Sequence, residues 1–231
     1  MPAPPHIGVL RERSLHAAVK SWYARPQDRL ETRVDGYVVD IERDDDLLVE
    51  IQTRSFAPLK AKLRRLTERR RVRLVHPIAA EKWILRVDGE GERLGRRKSP
   101  KRGRVEDVFH ELVSIPDLPA RPAFALEVLL IQEEEVRCHD GRGSWRHPEW
   151  RRTDRRLLKV VRRCDLSTPA RLLSLLPPAG ELPRPFTNRG LAEAAGLSPT
   201  LAARMTYCLR ALDGLAVVGR GKHGARLFAE A

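Results

Sequence analysis

Three side chains carry the chemistry of the N-terminal third. Asp40 stands near the end of one apolar run, 30–41, and Glu50 and Gln52 stand inside the next, 46–54. A carboxylate in a strand is costly unless it is paired, hydrogen-bonded or bound to a metal. Strand side chains alternate between faces, so Glu50 and Gln52 point the same way. In an antiparallel hairpin Asp40 comes close to Glu50, and two converging carboxylates repel unless a cation lies between them. Oxygen ligands with open positions suit Mg²⁺ or Mn²⁺ rather than zinc. An ion held that way activates a water and steadies the charge developing on a phosphodiester. Asp40 and Glu50 are therefore the expected metal ligands. The plainer alternatives are an Asp40 that caps a turn and a Glu50 that pairs with an arginine.

Several elements must position these groups. Leu15, Val19 and Trp22 recur at helical spacing and predict a helix over 8–24, closed by Arg25-Pro26. Glu12 lies a heptad before Val19, beside the apolar stripe. The runs 30–41 and 46–54 read as a hairpin turning at Arg43 to Asp45. Ser55 and Pro58 then open a basic helix whose Leu59, Leu63 and Leu66 line one face. Its Lys60 and Lys62 are expected to face DNA. VRLVHPI (72–78) and KWILRV (82–87) read as two more strands. The order helix, hairpin, helix, strand, strand gives an α+β class.

Asp40, then Glu50-Ile51-Gln52 on the next strand, then a basic amphipathic helix, resembles the PD-(D/E)XK nuclease core over roughly 8–90. The resemblance implies a restriction-endonuclease-like α-β-β-β-α-β fold. It implies that Asp40 and Glu50 hold the metal, that Glu12 assists from the first helix, and that Gln52 stands where lysine is commoner.

The chain has 231 residues with 44 Lys and Arg against 31 acidic residues, and the basic residues are clustered. That balance points to a polyanion, DNA first and RNA as the alternative. Three widely spaced cysteines fit a reducing cytosol rather than a disulfide framework. Cys138-His139 with His147 is too irregular for a zinc site and reads as loop. The N-terminus lacks the apolar segment of a signal peptide, and no run reaches transmembrane length. The expected setting is the cytoplasm of a prokaryote, at the nucleoid, without a membrane partner and with a homodimer allowed.

The stretch 93–104, RLGRRKSPKRGR, holds seven basic residues and no acid. It reads as a flexible loop whose Arg96, Arg97, Lys98, Lys101 and Arg102 clamp phosphates. DVFHELV and PARLLSLL read as short helices, and AFALEVLLIQ and LLKVVRRCDL as strands, with EEEVRCHD pairing back on the first. Trp145 and Trp150, interleaved with arginines, fit core anchors better than base-stacking platforms. LLPPAGELPRP reads as a linker.

Beyond it, Thr187 caps one helix, Gly196 makes the turn, Ser198-Pro199 cap a second, and two short strands surround a basic Gly-rich tip. This layout resembles a winged helix-turn-helix over 184–231. Arg204, Tyr207 and Arg210 would reach DNA from the second helix, and Arg220 and Lys222 from the wing. The predicted organisation is a nuclease-like domain at 1–92, a basic middle region at 93–183 and a winged helix at 184–231. The predicted function is a metal-dependent DNA endonuclease. The alternative is a non-enzymatic DNA-binding protein, a regulator or chromosome-associated factor on a degenerate nuclease fold.

Overall fold

The computed structural model describes residues 14–140 and 149–231, apart from the side chains of Ser14 and Lys222. It is a mixed α and β structure built on one large mixed sheet. In chain order the main elements are α1 (Ser14–Tyr23), β1 (Arg29–Val34), β2 (Tyr37–Glu42), β3 (Leu47–Ile51), α2 (Lys60–Leu66), β4 (Arg71–Val87), β5 (Arg93–Lys98) and α3 (Phe109–Leu112). There follow β6 (Phe124–His139), β7 (Trp150–Asp165), α4 (Pro169–Leu173), α5 (Asn188–Ala195), α6 (Pro199–Ala211), β8 (Leu215–Arg220) and β9 (Arg226–Glu230).

The sheet runs β1-β2-β3-β4-β6-β7, with β5 also on β4. β1, β2 and β3 form an antiparallel meander, and β3 is parallel to β4, which is parallel to β6. The expected single strand over 30–41 is two strands. Asp35 and Gly36 both take positive φ, 49° and 83°, as a two-residue hairpin turn requires.

The expected strands at 72–78 and 82–87 are one strand, β4, with a register shift between Ala79 and Glu81. Pro77 breaks the apolar pattern but not the strand. The β3 ladder ends at Val75 and β5 begins at Trp83, so the amide that proline lacks is not needed on that side. AFALEVLLIQ and EEEVRCHD likewise form one strand, β6, paired along its length with β7. Cys138 and His139 thus end a strand rather than lie in a loop.

The stretch 93–104 is not a flexible loop. Residues 93–98 form β5, and Gly103 donates its N–H to Ala79 O at 2.8 Å. A Cβ on Gly103 would meet that oxygen at 2.7 Å, so the backbones can only touch there through glycine. The charges that hide β5 find partners in the sheet, with Arg96 on Glu134 and Lys98 on Glu81.

Each sheet face has its own core. Leu15, Val19 and Tyr23 of α1 pack on Ile41, Val49, Ile51, Val75 and Leu129. The opposite face joins Leu48, Leu74, Leu126 and Val128 to Leu63 and Leu66 of α2, Phe109 and Leu112 of α3, and Leu201, Met205 and Leu209 of α6. The second cluster reaches from the sheet into the C-terminal segment, and the segment read as a linker contributes buried Leu176 and Leu182 to it. Truncating a fully buried side chain such as Leu63 to alanine costs about 2–5 kcal/mol.

The C-terminal caps form as the sequence implies. Thr187 Oγ1 accepts from Gly190 N at 3.1 Å, Gly196 is left-handed at φ 60°, and Ser198 Oγ accepts from Leu201 N at 3.2 Å. β8 and β9 pair antiparallel, and Phe186 bridges to Phe228. Among the described residues no helix is long and apolar enough to cross a membrane.

Candidate active site

β2 and β3 pair at Ile41↔Val49 and Glu42↔Leu48. Continuing that register sets Asp40 opposite Glu50, where the backbone ladder stops. The two side chains take its place. Asp40 Oδ2 accepts the Ile51 N–H at 2.8 Å, and the Asp40 N–H hydrogen-bonds the Glu50 carboxylate. Val39 packs in the α2-side core and Ile41 in the α1-side core, so strict alternation breaks at Asp40. Its carboxylate therefore lies along the sheet toward β3, reachable from both faces.

From the α1 side, His16 Nε2 approaches Asp40 Oδ2 at 3.3 Å. Burial works to raise the Asp40 pKa, but the hydrogen bonds from His16 and Ile51 outweigh it and hold the carboxyl below its ordinary value. Glu50 goes the other way. Val49 and Ile51 point into the α1-side core, so Glu50 points to the α2 side, where it is 3% exposed. Burial pushes its pKa up to about 7, with the Asp40 charge adding to the rise and Lys62 opposing it. Two adjacent carboxylates are thus held in different protonation tendencies by their surroundings.

Lys62 is not the freely DNA-facing residue expected from its helix. Its Nζ lies 2.5 Å from Glu50 Oε1 and donates to Val38 O at 2.5 Å, locking α2 onto β2 and β3. It brings a cation to the place where Gln52 does not. Gln52 is half-buried, with its N–H on Val75 O at 2.9 Å and its carbonyl taken by His76 Nδ1 at 2.5 Å. His76 is buried edge-on against Phe56, and that burial lowers its pKa and keeps it neutral. Glu12 lies outside the described residues.

The basic residues expected on DNA divide. Lys60, Arg97, Lys101, Arg220 and Tyr207 are exposed, and Arg210 is half-buried. Arg96 is held by Glu134 at 2.8 Å and stacks on Trp83, while Lys98 and Arg102 both pair with Glu81, at 2.8 and 3.5 Å. Arg204 does not reach outward. It donates to His110 O at 2.9 Å and meets His110 Nδ1 at 3.0 Å, docking α6 on α3. Trp150 lies under Arg86 at 4.8 Å and against His139, so its ring is already stacked. The Lys222 side chain, Trp145 and His147 lie outside the described residues.

Sequence reasoning missed His16 and the neutral His76. A histidine one helical turn before Lys20 on α1 was the available signal for the first. Nothing in the local sequence marked the second. It also missed the arginines of β7, whose partners lie on β6.

Among the described residues no group of three or more His, Cys, Asp or Glu side chains is placed to hold a metal. Two carboxylates are donors of the kind hard cations take, and here Asp40 is engaged by the Ile51 N–H and His16, and Glu50 by Lys62.

Comparison with known proteins gives one family and one relative. The model of the domain of unknown function DUF8091 matches residues 13–167, a span that runs from α1 through the end of β7 and crosses residue 92 without a break. An uncharacterized protein of Treponema pallidum (strain Nichols) is 30% identical over 154 residues, covering 67% of this chain and 61% of the relative. The chain thus spans about three-fifths of that relative's length. No solved structure matches.

Proposed function

The chain belongs to the DUF8091 family, and we propose that it hydrolyses phosphodiester bonds in DNA with the help of a divalent cation, Mg²⁺ or Mn²⁺. The observation that carries this reading is the Asp40–Glu50 pair, each carboxylate taking a backbone N–H from the other's strand, with Lys62 on Glu50. The succession α1, β1, β2, β3, α2, β4, with β3 parallel to β4, supports the resemblance to PD-(D/E)XK nucleases.

In this reading Asp40 and Glu50 hold the ion, which when bound supplies a nucleophilic water at neutral pH and charge neutralisation at the phosphate. Asp40, with its depressed pKa, stays ionised, while Glu50 needs Lys62 to favour its charged form in a buried place. Lys62 also sets a fixed positive charge beside the site. The Gln52 backbone is pinned by Val75 and His76, and in this reading its amide would orient a water or a phosphate oxygen. Exposed Lys60, Arg97 and Lys101, with the wing residues Arg220 and Arg226, supply backbone-phosphate affinity without reading sequence.

A second reading is a non-enzymatic DNA-binding protein. What favours it is that Lys62 already neutralises Glu50 while Gln52 stands where a lysine is commoner. Incubating the protein with plasmid, linear and branched DNA in Mg²⁺ and in Mn²⁺ separates the two.

A further inference from the structure

The strands of the sheet differ in reach. The β3 ladder ends at Ile51↔Val75, while β4 runs on past it to Val87, roughly 40 Å further at about 3.3 Å per residue. β6 and β7 continue beside it and β5 joins on the other side, so four strands form an overhang. On one face α1 covers only its root, where Leu15 and Val19 pack with Leu129, Ile131 and Leu157.

Strand alternation carries that face outward. On β6 it continues from Ile131 through Glu133, Glu135 and Arg137. On β4 Lys82, Ile84 and Arg86 share it, because Lys82 reaches Glu133 at 2.9 Å and Glu135 at 3.2 Å. Arg97 stands opposite Ile84 on β5. From β7, Arg155 meets Glu133 at 2.6 Å and Arg152 lies 3.9 Å from Glu135.

The charges of this face do not cancel. Glu133 and Glu135 are buried among Lys82, Arg137, Arg152 and Arg155, four cations to two carboxylates. Arg86 and Arg97 are exposed and, among the described residues, meet no carboxylate. Arg86 lies over the Trp150 ring, 4.8 Å from its centre, and a guanidinium stacked by its face keeps its N–H edge for a ligand. Other acids of the overhang sit elsewhere. Glu134 is on the opposite face with Arg96, Asp140 and Glu149 are at the tip with Arg151 and His139, and Glu90 and Glu92 are in the β4–β5 turn. Trp150, under Arg86 and 4.9 Å from His139, is already stacked and is no platform for a base.

We propose that this face of the overhang, centred on Arg86 and Arg97, holds double-stranded DNA by its phosphates. A duplex carries one negative charge per ~1.7 Å of its axis, about twice the density of a single strand. That suits a surface offering surplus guanidinium charge and no stacking ring. The inference rests on DNA as the ligand but not on cleavage, and Asp40 and Glu50 take no part in it.

The test is anisotropy titration of a labelled duplex and of a single strand of equal length, in EDTA, over a series of salt concentrations. Wild type is compared with Arg86→Gln/Arg97→Gln, with Arg97→Gln alone, and with a control, Arg25→Gln/Arg33→Gln, which loses the same charge at the β1 edge. Thermal unfolding checks that all four fold alike. Wild type is expected to prefer the duplex. The double variant is expected to bind it at least about tenfold more weakly near 0.1 M salt, with a salt slope shallower by about two, and Arg97→Gln by about one. The control keeps the wild-type slope. Equal losses in the double variant and the control, or no loss in either arginine variant, overturn the proposal, as does wild type that lacks duplex affinity or binds the single strand as tightly. The expected slope changes without cleavage in Mg²⁺ leave this surface standing and remove only the nuclease reading. Cleavage in Mg²⁺ with unchanged slopes removes the surface and leaves that reading.

Discussion

Lys62 and Glu50 form an ion pair of 2.5 Å across the α2–β3 interface, with side chains 13% and 4% exposed. Removing one partner of a buried pair leaves the other charge uncompensated. Lys62→Gln is therefore expected to lower stability by about 3–5 kcal/mol at pH 8 and by much less at pH 5, where Glu50 takes up a proton. Under the nuclease reading it also abolishes cleavage, and Lys62→Gln/Gln52→Lys restores part of it by returning an ammonium to the site. Gln52→Lys alone changes the rate by less than about tenfold, since Lys62 already supplies the charge. Denaturant unfolding at the two pH values and a nicking assay check these outcomes. A Lys62→Gln protein as stable and as active as wild type at pH 8 contradicts them.

Glu50 gives the stability a pH dependence of definite sign. Its pKa rises from the ordinary 4.5 to about 7 on folding. Its contribution is therefore fully present below about pH 4.5 and is lost as pH rises through about 7. Measured against Glu50→Gln, wild type should lose roughly 3 kcal/mol across that window. Under the nuclease reading Glu50 must also be deprotonated to hold the ion, so cleavage should fall as pH drops below about 7. Parallel stability curves for the two proteins would show that Glu50 is not perturbed as described.

Arg204 and the wing arginines separate by what they touch. Arg204→Ala removes the contacts with His110 and should cost about 1–3 kcal/mol of stability with DNA affinity unchanged. Arg220→Ala/Arg226→Ala should leave stability within about 0.5 kcal/mol and make the salt slope of DNA binding shallower by about two. Thermal melts and salt titrations of both variants decide. A loss of affinity confined to Arg204→Ala reverses the assignment.

The β2–β3 hairpin and the face of Glu50 were legible because both are local, set by a short turn and by period two, whereas the break of alternation at Asp40 and the Asp35-Gly36 turn that divides 30–41 were not. The caps at Thr187, Gly196 and Ser198 were legible for the same reason. Lys62 was misplaced because helical spacing tells which residues share a face, not what that face meets. β5 was hidden because its charges are satisfied at a distance, Arg96 by Glu134 and Lys98 by Glu81. β6 was read as two pieces because Glu133, Glu134 and Glu135 interrupt its apolar pattern, and only the cations of β4, β5 and β7 make them tolerable inside a sheet. Long-range charge pairing has no period, so a single sequence does not display it.

The most direct measurement is conversion of supercoiled plasmid by wild type and by Asp40→Asn, with Mg²⁺, with Mn²⁺ and with EDTA, beside a gel-shift titration of each protein. Asparagine keeps an acceptor for the Ile51 N–H and removes only the charge, so the fold is retained. The account predicts metal-dependent nicking by wild type, none by Asp40→Asn, and DNA affinity equal or slightly higher in the variant. Wild-type protein that binds DNA tightly and cuts none of it, or nicking that persists in Asp40→Asn, would contradict it.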